Sequence, residues 1–141
     1  MKVGIVGHES LKFTLAGEDE ARAVIRSLLD RAGAVLVSGG SPLGGIDIWA
    51  EQEADKLGLL KIIHKPSVLC WGAPGGFKER NLRIAEDSDE VHCIVVDRVS
   101  DHYTGLVYNY CYHCNARDHI KSGGCWTAKK AKVGIWHVIH Q

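Results

Sequence analysis

The sequence predicts an α/β protein with a doubly wound, mainly parallel Rossmann-like sheet and helices on both faces. Short segments that are apolar along their whole length alternate with segments of helical spacing. Several apolar segments end at glycines, as buried strands that run into tight turns do. Because parallel strands need crossover helices, this alternation indicates one doubly wound domain over residues 1–141.

The first half of the chain contains three predicted strands and two predicted helices. Residues 3–6 form a continuous apolar run that ends at Gly7. Apolar residues spaced three and four apart predict an amphipathic helix over 18–31, which Gly33 ends. A strand over 34–37, a helix over 46–57 and a strand over 59–63 follow.

The second half adds two helices, two strands and an insert. Residues 65–76 are predicted to form a loop, followed by a helix over 77–87 and a strand over 90–96. The segment 97–121 is polar, aromatic and rich in histidine and cysteine, and no secondary structure is assigned to it. A helix over 126–133 and a strand over 134–139 complete the chain.

Composition limits the possible function and location. The 17 Lys and Arg residues balance 17 Asp and Glu residues, which argues against nucleic-acid binding by bulk positive charge. The first residues show no signal-peptide pattern, and no apolar run approaches the ~20 residues that a membrane helix needs. We therefore expect a cytoplasmic protein with no membrane partner. Five cysteines in such a chain favour reduced thiols or a metal site over disulfides.

Glycines lie beside the predicted strands and helices where a sheet of this type binds ligands. Gly7 follows the first strand, Gly39 and Gly40 follow the second, and Gly123 and Gly124 precede the last helix. Glycine lets backbone N–H groups face an anion, and a helix N-terminus adds partial positive charge. These turns predict a phosphate-binding cradle, although a glycine pair after a strand is also an ordinary tight turn. The dinucleotide-binding and P-loop glycine fingerprints are both absent.

Three motifs in the same order resemble a known superfamily. Residues 37–47, with SGG followed by GGID, resemble the SGGAxGID segment of the DNA-processing protein A (DprA) family. Residues 77–85 (FKERNLRIA) resemble its FxxRNRxIA segment, and residues 122–128 (SGGCWTA) are similar to its SGSxxTA turn. The resemblance covers most of 1–96 and 121–141. It implies a small stand-alone member of the SLOG superfamily of Rossmann-like proteins, which also includes the "lonely guy" (LOG) nucleotide hydrolases.

The resemblance and the glycine turns together predict the ligand-contacting residues. Arg80 can hold a phosphate with two hydrogen bonds, and Asn81 can bind a ribose hydroxyl or a base edge. Asp47 can contact ribose or brace the glycine loop. Each also has a structural alternative, such as a helix cap, a favourable helix-dipole position or an ion pair. The predicted set is Gly7, His8, Glu9, Ser38, Gly39, Gly40, Gly44, Gly45, Asp47, Arg80, Asn81, Ser122, Gly123, Gly124 and Thr127.

The insert and its flank carry a spacing typical of a metal site. Cys111, Cys114, His119 and Cys125 follow the pattern C-x2-C-x4-H-x5-C, which is one residue longer than a zinc knuckle. Three thiolates and one imidazole suit tetrahedral Zn²⁺. Unligated thiols and a redox-active C-x2-C pair are the alternatives.

Three functions are compatible with these features. The first is a protein that binds a nucleotide or a nucleotide derivative, as a sensor or as an enzyme. The second is a single-stranded nucleic-acid-binding module like DprA, which the neutral net charge disfavours. The third is an N-glycosidic nucleotide hydrolase, which Lys130 disfavours because it occupies the position of the glutamate in the LOG motif PGGxGTxxE. By analogy with the superfamily we expect a homo-oligomer.

Overall fold

Strands and helices alternate along the chain in the computed structural model, which describes residues 1–141. The strands are β1 (Lys2–Gly7), β2 (Val35–Ser38), β3 (Leu60–Ile63), β4 (Glu90–Val96) and β5 (Gly134–Ile139). The helices are α1 (Leu15–Leu29), α2 (Ile46–Lys56), α3 (Phe77–Asp87) and α4 (Gly123–Lys130), with a 3-10 turn at Ser10–Lys12. None of the helices has both the length and the apolar character needed to cross a membrane.

The five strands form one parallel sheet in the order β3-β2-β1-β4-β5. In the central pairings, Val3 of β1 lies opposite Leu36 of β2 on one side and Glu90 of β4 on the other. The chain therefore winds outward in one direction from β1 to β3 and in the other from β4 to β5. This confirms the predicted α/β fold class, and it places a topological switch point between the carboxyl ends of β1 and β4.

The sheet separates two hydrophobic cores. Val3 and Ile5 belong to a core of 17 buried residues shared with α1 and α2. Val6, on the opposite face of β1, belongs to a core of 9 buried residues shared with α3 and α4. The smaller core includes the thiols of Cys93, Cys111 and Cys125. A change in the chemical state of these thiols is therefore expected to alter the stability of the smaller core.

Two predicted helix starts are corrected by capping side chains. Helix α1 begins at Leu15 rather than at residue 18, because Thr14 Oγ1 accepts a hydrogen bond from Gly17 N at 2.9 Å. Helix α4 begins at Gly123 rather than at residue 126 and ends at Lys130 rather than at residue 133. Its cap is Ser122. Gly123 and Gly124 therefore lie in the first turn of the helix instead of preceding it.

The insert over residues 97–121 has no helix or strand, apart from an isolated antiparallel bridge between Cys111 and Ala116. Backbone hydrogen bonds attach both of its ends to the sheet region. Ser100 N donates to Lys12 O at 3.0 Å, and Ile120 N donates to Val96 O at 2.9 Å. The insert is thereby held over the carboxyl ends of β1 and β4.

A buried carboxylate joins α1 to α2 and supports a first prediction. Glu53 is 1% exposed. Its Oε1 forms ion pairs with Arg22 Nη1 at 3.2 Å, Arg26 Nη1 at 3.3 Å and Lys56 Nζ at 3.3 Å. Glu53→Gln leaves these cations without their shared counter-charge. Arg22 keeps Glu18 as a partner at 2.9 Å, so the main loss is of charge-assisted hydrogen bonds, and we expect the free energy of unfolding to fall by about 2 kcal/mol in urea titrations.

The control is Lys56→Met, which removes the most exposed of the three cations, with 66% of its side chain accessible. We expect a loss below about 1 kcal/mol because exposed ion pairs are weak. Equal losses for the two variants would contradict a special role for the buried carboxylate.

Candidate functional site

A pocket of about 570 Å³ opens at the carboxyl end of β1. Ligand-binding clefts in proteins typically measure roughly 300–1,000 Å³, so this pocket has the size for a small organic ligand. Its walls come from the turn after β1, the start of α2, the start of α3, the insert and the start of α4. It therefore lies at the switch point of the sheet.

Most of the predicted ligand-contacting residues line this pocket, and five of them do not. The lining members are Gly7, His8, Glu9, Asp47, Arg80, Asn81, Ser122, Gly123, Gly124 and Thr127. Those that do not line it are Ser38, Gly39, Gly40, Gly44 and Gly45. Two of these five residues contact residues that line the pocket. Ser38 Oγ donates a hydrogen bond to Asp47 O at 3.4 Å. Gly45 has a φ of 75°, and a Cβ at this position would collide with His8 O.

Arg80 is held in place by two hydrogen bonds. Its Nη1 donates to Gly39 O at 2.7 Å, and its Nε donates to Asn81 Oδ1 at 2.7 Å. A guanidinium has five N–H groups, so three remain for a ligand. Burial lowers the pKa of Arg80 and the nearby Asp47 carboxylate raises it again, but an arginine stays charged in either case. Arg80 is thus a fixed, partly dehydrated cation in the pocket wall.

Asp47 is a buried carboxylate without an ion-pair partner within 4 Å. Asp47 is only 7% exposed, and its Oδ2 accepts one hydrogen bond from Ser41 N at 3.2 Å. Burial raises its pKa to about 6, because the charged form is poorly solvated; Arg80 and the Ser41 N–H oppose this rise only partly. Asp47 therefore has spare acceptor capacity facing the pocket.

His8 uses both ring nitrogens on the backbone. Its Nδ1 accepts from Val96 N at 3.1 Å, and its Nε2 donates to Lys121 O at 3.0 Å. Burial, followed by the charge of Lys12, lowers its pKa to about 3, so the ring is neutral. His8 lines the pocket, but its polar atoms join the end of β4 to the insert.

The turn at Gly7 and the first turn of α4 meet in the wall of the pocket. A Cβ on Gly124 would lie 3.1 Å from Gly7 N, which shows how closely the first turn of α4 approaches the end of β1. Ser122 Oγ accepts from Gly124 N at 3.1 Å and caps the helix. The N-terminus of α4 thus points its partial positive charge at the pocket next to backbone amides.

The prediction missed most of the pocket wall that the 3-10 turn and the insert supply. The unpredicted polar and aromatic lining residues are Lys12, Ser41, Trp71, Phe77, Tyr103, Tyr108 and Lys121. The position of the insert directly after β4 was the available signal, since loops at the carboxyl ends of parallel strands border such sites. Nothing in the local pattern around Lys12 indicated its role.

The predicted metal ligands come together on the second core, next to the pocket. One ligand atom from each of Cys111, Cys114, His119 and Cys125 lies within 4.8 Å of the others. All of the cysteines are free thiols. His119 Nδ1 bonds Asp118 Oδ1 at 2.7 Å while its Nε2 lies 3.5 Å from Cys125 Sγ. A carboxylate behind a histidine is the usual arrangement for a metal-binding imidazole, so these four residues can hold a metal ion.

Cys93 lies behind this cluster as a hydrogen-bonding thiol. Its Sγ is 3.9 Å from Cys125 Sγ, and both residues are fully buried. A hydrogen bond from Cys93 is the largest cause that lowers the pKa of Cys125, to about 5, while burial raises the pKa of Cys114 to about 12. The contact with Cys93 therefore favours the thiolate form of Cys125, whereas burial and the same contact raise the pKa of Cys93.

No family model, no curated protein and no solved structure matches the chain.

Proposed function

We propose that the protein binds a nucleotide or a nucleotide derivative, with a phosphate group held between the N-terminus of α4, the Gly7 turn and Arg80. The observation that carries the proposal is the convergence of these three groups in one pocket. Backbone amides at a helix start, glycines that admit close approach and a guanidinium with free N–H groups suit a phosphate. Membership of the SLOG superfamily is part of this proposal and depends on the three sequence motifs.

The rest of the pocket suits the ribose and the base. Asp47 has unused carboxylate lone pairs, which accept hydrogen bonds from hydroxyl groups. Trp71, Phe77, Tyr103 and Tyr108 give the pocket aromatic surfaces on which a base can stack. The site holds no paired acid and base that would assign a reaction, so ligand binding is the activity proposed.

Zinc is the metal that the donor set of the cluster favours. Three thiolates and one imidazole provide four ligands, which fill a tetrahedral Zn²⁺ site and leave no open position for substrate. We assign this ion a structural role. Because Cys125 directly follows Gly124 in α4, the metal would hold the first turn of α4 against the pocket.

The proposal predicts that Arg80→Met weakens phosphate-dependent binding. Titration calorimetry with the four ribonucleoside monophosphates should show at least one ligand, and its affinity should fall at least about tenfold in the variant. The reason is the loss of charge-assisted hydrogen bonds, which contribute roughly 1.5–3 kcal/mol each.

Arg83→Met is the matched control on the same helix. Arg83 pairs with Glu79 at 3.0 Å, is 58% exposed and lies outside the pocket. Equal affinity for the two variants would contradict the proposed phosphate site. Salt-dependent binding of single-stranded DNA without any mononucleotide binding would favour the nucleic-acid module. Release of a free base from a bound monophosphate would favour the hydrolase.

A further inference from the structure

We propose that the pocket has a second anion subsite, formed by Lys12 and Lys121, and that its ligand is a nucleotide carrying a diphosphate group rather than a single phosphate. This inference depends on the proposed function. It starts from the charged groups that line the pocket: Glu9, Lys12, Asp47, Arg80 and Lys121. The cations outnumber the carboxylates, and the excess lies on the wall made by the 3-10 turn and the insert.

Lys12 is a partly dehydrated cation with a weak counter-charge. Only 16% of its side chain is exposed, and its Nζ lies 3.7 Å from Glu9 Oε1. It also lies 5.4 Å from the centre of the Tyr103 ring. Burial lowers its pKa, the Glu9 carboxylate raises it, and the charge of Lys121 lowers it again. Lys12 and Lys121 line the same pocket.

Lys121 has no carboxylate partner. Its Nζ lies over the rings of Tyr108 and Tyr112, at 4.8 Å and 4.9 Å from their centres. Its backbone is fixed by the bond from Lys121 N to Tyr108 O at 3.0 Å. A pair of lysines with a single weak counter-charge in a partly dehydrated wall gains stability when an anion binds between them.

The position of Lys121 indicates which anion this is. Lys121 directly precedes Ser122, the cap of the helix whose N-terminus is the proposed site of the first phosphate. Arg80 is attached on another wall, through Gly39 after β2. Because all of these residues line one pocket, a ligand whose first phosphate lies at α4 and Arg80 can extend a second phosphate toward the lysine wall. A diphosphate group supplies two linked phosphates of this kind.

The experiment compares AMP, GMP, CMP and UMP with ADP, GDP, CDP and UDP by titration calorimetry at fixed salt. We expect the diphosphate of the preferred base to bind at least about tenfold more tightly than its monophosphate, which corresponds to 1.4 kcal/mol. Lys121→Met should reduce this preference to below about threefold, because it should weaken diphosphate binding more than monophosphate binding. Lys12→Met should act in the same direction, and circular dichroism reports whether each variant is folded.

Lys132→Met is the control, because Lys132 is exposed and lies outside the pocket. Equal affinities for mono- and diphosphates, or a preference that survives in both lysine variants, would overturn the subsite and leave the proposed function standing. In that case monophosphates still bind, and Arg80→Met still weakens their binding. If no nucleotide of either kind binds, the proposed function is wrong and the subsite falls with it.

Discussion

Loss of the proposed metal ion is expected to destabilise the protein and to abolish ligand binding at the same time. Cys114→Ser removes one of four ligands from a cluster that borders the smaller core. Metal binding contributes apparent free energies of about 10–16 kcal/mol in zinc-finger peptides, so even partial loss of the ion has a large effect. We expect the melting temperature to fall by on the order of 10 °C.

The coupling to the ligand site follows from the position of Cys125. It lies in the first turn of α4, one residue after Gly124, and the insert, which carries the other three candidate ligands, contributes Tyr108 and Lys121 to the pocket. Elemental analysis should find one zinc per chain in the wild type and much less in Cys114→Ser. A strong chelator should reproduce both the lower melting temperature and the loss of nucleotide affinity.

Cys70→Ser is the matched control for this experiment. Cys70 is an exposed free thiol outside the cluster, so its substitution should change neither metal content nor stability. A wild type that contains no metal, or a Cys114→Ser variant that behaves like Cys70→Ser, would refute the metal site. Loss of metal with unchanged nucleotide affinity would refute only the coupling.

Asp47→Asn is expected to make the ligand-free protein more stable above pH 6 and to weaken ligand binding. The folded-state pKa of Asp47 is about 6 against an ordinary value of 3.8, so the folded chain keeps this proton to higher pH than the unfolded chain. The associated stability is complete below about pH 4 and is lost as the pH rises through about 6. Above that pH the buried charge lowers the free energy of unfolding by about 2–3 kcal/mol. The neutral amide of asparagine does not carry this cost.

Urea unfolding at pH 5 and pH 8 measures this effect. The stability difference attributable to Asp47 should disappear in Asp47→Asn, whose unfolding free energy at pH 8 should exceed that of the wild type. Nucleotide affinity should fall about tenfold, because an amide oxygen is a weaker acceptor than a carboxylate. Asp55→Asn, on the same helix and 60% exposed, should do neither.

A variant that is less stable than the wild type at pH 8 would show that the carboxylate braces the glycine loop instead. Asp47 would then act through the Ser41 N–H and Arg80, and its buried charge would contribute to the fold. If Asp47→Asn stabilises the fold and weakens binding, Asp47 serves ligand binding although its buried charge lowers the stability of the protein.

The order of elements, the fold class and several boundaries were predictable from the sequence alone. Helix α3, strand β4 and strand β5 have the predicted ends. Strands buried on both faces are apolar throughout, and amphipathic helices repeat their apolar residues every three to four positions; both are local patterns. The cluster of the four candidate metal ligands was also predictable, because close spacing in the chain limits how far apart their side chains can lie.

Only the tertiary structure decided how the site is assembled. Lys12, Tyr103 and Tyr108 are distant in sequence from Arg80 and Ser122, and no local pattern relates them; the parallel sheet brings their loops to one edge. The same folding placed Ser38, Gly39 and Gly45 outside the pocket lining, in contact with Asp47, Arg80 and His8. Periodicity and spacing report which face of an element is buried, whereas the neighbours of a side chain depend on contacts that form only when distant segments pack together.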